Sequence, residues 1–163
     1  MSSNVQTNKN QDTESYKLLA HQYFKDKNYL QASLYYGKAI ENDQKNSEIY
    51  LLKSQCSFYL SNFNQSLQEI NLGLDMIENN LDDETSSLIL KVRLLYWRSK
   101  IYQELKNFEN AKKDEEKVKI ILQKNSQNQQ FSHVLEIDNL NEPSFKTNEA
   151  SEHREYFSAR VKT

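Results

Sequence analysis

The sequence predicts an all-α solenoid of three helical hairpins, and three observations carry that reading. One pattern recurs three times. Aligning Ala32, Ser66 and Ala111 brings a small residue twelve positions upstream into register (Ala20, Ser54, Ser99) and an aromatic three upstream (Tyr29, Phe63, Phe108). Seven positions downstream stands another compact residue (Ala39, Gly73, Val118). The first two copies lie about 34 residues apart, the period of a helix–turn–helix repeat. Composition agrees: two Gly and one Pro in 163 residues are too few for a turn-rich β protein and favour long helices with short turns. Within each copy the apolar residues recur at helical spacing.

The elements follow in order. Residues 1–12 (MSSNVQTNKNQD) offer little apolar surface to offset the cost of ordering, so disorder is expected there. Thr13 or Ser15 can cap the first helix, whose Tyr16, Leu19, Ala20 and Tyr23 form one apolar face. Asp26-Lys27-Asn28 turns the chain, and Tyr29, Ala32, Tyr36, Ala39 and Ile40 line the return helix. Small residues at 20, 32 and 39 let the two backbones approach. The first repeat therefore spans 13–46.

The second repeat spans 47–80. Its first helix carries Tyr50, Leu51, Ser54, Phe58 and Leu60, Ser61-Asn62 turns, and Phe63, Leu67, Ile70 and Leu74 line the return. Gly73 occupies a compact position, which points to close approach of helices and not to a hinge. The acidic spacer NNLDDETSS (79–87) displaces the third repeat to 88–124, with an early start at Leu88-Ile89-Leu90 and a turn at Lys106-Asn107. Its return helix has one modest apolar stripe and a charged, solvated face. The pattern stops at NSQNQQ (125–130), opening a tail over 125–163. Within the tail, Phe131 to Leu140 is a short acidic-apolar segment, Pro143 interrupts, and a terminal helix over 148–161 is expected.

These residues together resemble the tetratricopeptide repeat family, best in the first copy, TESYKLLAHQYFKDKNYLQASLYYGKAIENDQKN, and over roughly 13–124. Departures are Gln44 where such repeats have Pro, Lys53 and Arg98 in place of an apolar residue, and Glu115 in place of an aromatic; they predict looser packing in the third repeat. The block Tyr50-Leu51-Leu52-Lys53-Ser54-Gln55-Cys56 and the spacer look like the co-chaperone type, which includes assembly factors for machines such as axonemal dyneins. The resemblance implies a clamp for the acidic carboxyl-terminal tail of a heat-shock chaperone. Lys17 matches its first Lys and Arg93 replaces a later one, but His21 and Leu52 stand where the two Asn belong and Trp97 where the Arg belongs. A clamp satisfies both carboxylate oxygens with fixed donors. Leu52 and Trp97 cannot supply them.

In this register the shared groove of the first helices presents Lys17, His21, Phe24, Gln55, Phe58, Tyr59, Arg93, Tyr96 and Lys100. Cations at both ends and aromatics between them suit a peptide with acidic and apolar side chains, Tyr and Arg being common interface anchors. The tail segment carrying Val134, Leu135, Ile137 and Leu140 has that same character. It either folds back into the groove or docks on a partner.

Function follows by exclusion. A net charge of −2 provides no field for nucleic acid or acidic membranes, and the Lys of the third repeat are interleaved with Glu104, Glu109, Asp114, Glu115 and Glu116. No apolar run approaches the ~20 residues of a membrane span. The first residues lack the apolar core of a secretory signal and the arginines of a mitochondrial one. Cys56 is the single cysteine, so no internal disulfide forms and a reducing compartment fits, the cytoplasm by default, with a cilium or axoneme association implied only by the dynein-factor resemblance. His21, His133 and His153 lie in separate segments without ligand spacing, so no metal is expected. No phosphate loop or nucleophile grouping occurs, so neither an enzyme nor a cofactor is expected. The expected role is an adaptor or subunit binding protein partners within a larger assembly, with a co-chaperone as the alternative and a nucleic-acid-binding subunit, against which the mixed charge argues, as a third reading.

Overall fold

The computed structural model describes residues 3–79 and 84–125 and consists there of six helices. They are α1 (Ser3–Lys25), α2 (Tyr29–Asn42), α3 (Ser47–Tyr59), α4 (Phe63–Asn79), α5 (Glu84–Glu104) and α6 (Phe108–Lys124). Each odd helix pairs with the next as an antiparallel hairpin, and α2 packs on α3 as α4 packs on α5. Three stacked hairpins result, an all-α solenoid.

The three hairpin turns share one construction. Lys27, Ser61 and Lys106 each take a positive φ (58°, 61° and 56°), and the following amide reaches back five residues: Asn28 N–H to Tyr23, Asn62 N–H to Ser57, Asn107 N–H to Tyr102, at 2.8–2.9 Å. That is the bond of a helix-ending left-handed cap. Asn28 and Asn107 then start the return helices, their side-chain oxygens accepting from the backbone N–H of Gln31 and Asn110 at 3.3 Å.

The small residues at the aligned positions mark the closest helix contacts. Ala20, Ala32, Ser54 and Ser66 have no exposed surface, and Ser66 Oγ donates to the Ser54 carbonyl at 2.8 Å across the α3–α4 seam. At Gly73 an added Cβ would lie 3.0 Å from Leu94 Cδ2 and 3.3 Å from the Ser47 carbonyl oxygen, which is the close approach the sequence suggests. Two apolar clusters fill the interior. One joins Ala32, Tyr36 and Ala39 to Ile49, Leu52 and Cys56 of α3, and the other joins Leu51, Ile70, Leu94, Trp97, Ile101 and Val118. Consecutive hairpins thus share α3, which contributes to both.

Two starts differ from expectation. The helix α1 begins at Ser3, so residues 3–12, expected to be disordered, continue the helix, and Thr13 and Ser15 lie inside it instead of capping it. Ser15 Oγ donates back to the Gln11 carbonyl at 2.9 Å. A helix already nucleated by packing extends one hydrogen bond per residue without needing apolar burial, and no Pro or Gly interrupts this stretch. Likewise α5 starts at Glu84, ahead of Leu88. The expected helix over 148–161 and the segment 131–140 lie outside the described residues.

Candidate groove of the odd-numbered helices

On α1, Lys17, His21 and Phe24 recur at spacings of four and three, and so do Gln55 and Phe58–Tyr59 on α3 and Arg93, Tyr96–Trp97 and Lys100 on α5. The structure gathers the aromatic members into one ladder across the hairpins. Phe24 meets Tyr59 edge-on at 5.8 Å, Tyr59 meets Trp97 at 6.1 Å, and Phe58 meets Trp97 at 5.5 Å. Tyr29 stacks on Tyr59 at 4.6 Å and 15° between planes. Lys100 Nζ lies over both Tyr96 (4.6 Å) and Trp97 (5.0 Å), placing a cation at the ladder's edge. Tyr59 is 44% exposed, and Phe24, Phe58, Tyr96 and Lys100 are half-buried.

The remaining candidates are set deeper. His21 and Arg93 keep only 9% and 6% of their surface, and Gln55 none. Arg93 faces Glu48 of α3 at 3.8 Å, and burial lowers its pKa from the usual arginine value. His21 meets the Tyr36 ring edge-on at 5.6 Å. Burial, then the charges of Lys17 and Lys25, push its pKa down to about 4, so the imidazole is neutral at pH 7. Lys17 is held by Glu14 of the preceding turn at 3.0 Å. Both Gln55 amide atoms and the Tyr36 hydroxyl are buried without a hydrogen-bond partner.

Of the clamp positions, Leu52 (0% exposed) and Trp97 (1%) are core residues and offer no donor for a carboxylate. The Cys56 thiol is buried and its pKa is pushed up, chiefly by that burial, so it is no nucleophile. Among the described residues no three His, Cys, Asp or Glu gather where a metal could sit, and no helix is long and apolar enough to cross a membrane. Sequence reasoning placed Tyr29 and Trp97 outside the groove list, yet both belong to the ladder. For Tyr29 the signal was the aromatic that opens each return helix (Tyr29, Phe63, Phe108), whereas Trp97 aligns with Leu18 and Leu52 and carried none.

Solved structures match this arrangement of hairpins, two of them as follows. The TPR domain of Arabidopsis OM64 superposes with a TM-score of 0.57 at 19% identity, covering 67% of this chain and 81% of that one. The TPR2B domain of yeast Sti1, solved as its complex with pHsp70, gives a TM-score of 0.59 at 15% identity, covering 80% of this chain and 93% of that one. The chain has the tetratricopeptide-repeat fold. No protein-family profile and no curated protein matches the sequence. At these identities the likeness establishes the TPR fold alone, and the turns, the small-residue contacts and the ladder are this chain's own way of building it.

Proposed function

We propose that this TPR solenoid is a protein–protein interaction module, an adaptor or subunit of a larger cytoplasmic assembly, that receives an acidic-apolar segment along its odd-numbered helices. The observation that carries the reading is the aromatic ladder, with half-exposed Tyr59 between Phe24 and Trp97 and the Lys100 cation over the Trp97 ring. An exposed aromatic in a well-packed aromatic setting is the commonest kind of binding anchor, and truncating such an anchor typically costs about 2 kcal/mol. The cation over Trp97 selects acidic neighbours in the bound segment.

The test is affinity purification of the tagged full chain from its native extract, washed at moderate and then high salt. It is run in parallel with Tyr59→Ala, Lys100→Glu and the remote control Leu30→Ser. A stoichiometric partner lost with the first two variants and kept with the control supports the groove. Retention by all three removes it. The alternative, a co-chaperone or assembly factor, draws on the Sti1 domain having been solved with pHsp70. It predicts a heat-shock chaperone bound in salt-labile, substoichiometric amounts. The buried Leu52 and Trp97 weigh against an ordinary carboxylate clamp.

A further inference from the structure

The chain covers one hairpin with the next in the same way twice, and its two ends keep the two halves of that contact. Ile49, Leu52 and Cys56 of α3 form one cluster with Ala32, Tyr36 and Ala39 of α2, and in its last turn Tyr59 stacks on Tyr29 at 4.6 Å. On hairpin two, Leu94, Trp97 and Ile101 of α5 stand at the same positions and pack in one cluster with Ile70. At the position of Leu52 and Trp97, which are 0 and 1% exposed, α1 carries Leu18 at 55%. At the position of Tyr29, α6 opens with Phe108 at 66%, beside a cleft of about 330 Å³ lined also by Ala111, Glu115 and Lys119. One end of the molecule therefore presents an odd-numbered helix, and the other presents the face that receives one.

We propose that a second copy of this chain is the occupant, its α1 docking on hairpin three as α3 docks on hairpin one. The register follows from the Tyr59–Tyr29 stack and the antiparallel run of the two helices. Transposed to the ends, Lys25 falls opposite Phe108, Leu18 opposite Glu115, and Glu14 opposite Lys119. The charges match in that register. Glu14 meets Lys119, and Lys25 lies over an aromatic face with the Glu115 carboxylate beyond it. The polar groups coincide as well. Hairpin three has Glu115 where α2 and α4 have Tyr36 and Ile70, and α1 has Gln22 where α3 and α5 have Cys56 and Ile101. Gln22, one turn from Leu18, brings a donor to the Glu115 carboxylate, whose Oε1 already accepts from Gln103 at 2.7 Å. These exchanges let each end stand in water alone and make the contact weaker than the apolar seams inside the chain. Because it joins unlike faces, the contact does not close on itself. It builds open chains whose grooves run on from copy to copy, whatever segment the groove binds.

The test is sedimentation of the full chain from about 10 µM to about 1 mM, the range in which a small polar contact becomes populated. The average mass of the wild type should rise with concentration and pass that of two copies. Leu18→Glu spoils the α1 face and Phe108→Lys the receiving face. Both residues are exposed, so the fold should survive, as an unchanged Tm for each variant would verify. Each variant alone should stay a monomer. Their equimolar mixture retains one intact face of each kind, so it should reach the mass of two copies and stop there. A wild type that stays monomeric throughout overturns the inference, whether water or another part of the chain covers the faces. Association that either variant retains places the contact elsewhere and also overturns it. A mixture that remains monomeric, while the wild type associates, rules out the pairing of these two faces.

Discussion

The first hairpin and the two that follow close the same seam with opposite chemistry. In hairpin one the aligned positions are Leu19, Tyr23 and Tyr35; Tyr23 stacks on Tyr35 at 5.4 Å and 11°, and Lys38 lies over the Tyr35 ring at 4.8 Å. In hairpin two the same positions are Lys53, Ser57 and Glu69. Lys53 pairs with Glu69, and Ser57 Oγ donates to the other carboxylate oxygen at 2.7 Å. In hairpin three they are Arg98, Tyr102 and Asp114, with the guanidinium bidentate on Asp114 at 2.6 and 2.9 Å and on Asn71 of α4 at 2.9 Å. The fold asks only that the seam be filled and its polar groups satisfied. Hairpin one has an exposed outer side, with Leu18 and Leu30 at 55 and 67%, so its seam can be aromatic and half-wet. The carboxylates of hairpins two and three are almost wholly buried, and there each charge requires its partner.

The largest effect should come from breaking a pair on one side. Asp114→Ala leaves Arg98 half-buried with Asn71 alone and should cost about 3 kcal/mol in urea-monitored unfolding, with Glu69→Ala close behind. Replacing both partners with the hairpin-one residues separates the two explanations. Lys53→Leu combined with Ser57→Ala and Glu69→Tyr should stay within about 1 kcal/mol of the wild type, because an apolar filling that leaves no buried hydroxyl without its acceptor needs no charge. A triple variant as unstable as Glu69→Ala alone would show that the seams are not interchangeable.

Acid should distinguish hairpin one in another way. Its His21 is aligned with Gln55 and Lys100, so only this hairpin places an imidazole at that level. The folded pKa of about 4 lies below the ordinary histidine value near 6.5, so the unfolded chain takes up the proton first. Stability is therefore full above about pH 6.5, falls as the pH drops from there, and levels off near 4, by at most about 3 kcal/mol. His21→Gln should flatten that limb of a stability-against-pH curve. An unchanged slope would mean that His21 titrates alike in both states.

These pairs also show what the sequence could and could not disclose. Small residues at the aligned positions were legible because sterics alone determine them, and Ala20, Ser54, Ala32 and Ser66 prove fully buried. Lys53 and Arg98 read as defects because each was judged against an apolar expectation at one position. Their compensation stands sixteen residues on in both hairpins, at Glu69 and Asp114, a spacing that one-position comparison cannot see. The aromatics of the ladder were legible in part, as residue types recurring on one helix face. The depth of His21, Gln55 and Arg93 was not, since burial depends on what lies over a face and not on the face itself.

Gly73 offers a finer comparison, because hairpin one has Ala39 at its position and hairpin three has Val118. The gap between α4 and its neighbours is closed to a Cβ by Leu94 and by the Ser47 carbonyl. Leu94 can yield, whereas the backbone oxygen cannot. Gly73→Val should therefore cost about 2 kcal/mol despite removing a glycine from a helix. Val118→Gly in hairpin three should cost a similar amount for the opposite reason, a void where a side chain was.

The smallest effect belongs to the feature all three hairpins share. Lys27, Ser61 and Lys106 hold a left-handed backbone that an L side chain adopts at a cost of roughly 1–2 kcal/mol, while glycine adopts it freely and loses more entropy on folding. The two contributions nearly offset, so each substitution to Gly should raise stability by about 0.5–1 kcal/mol, a few degrees in Tm. Because the turns are built alike, the three gains should match and add, being far enough apart to act independently. A gain at 27 and 106 but none at 61 would separate serine from lysine: the short hydroxyl side chain would then already relieve the strain. Equal gains would assign the cost to the backbone angle, and the three turns would be one device used three times.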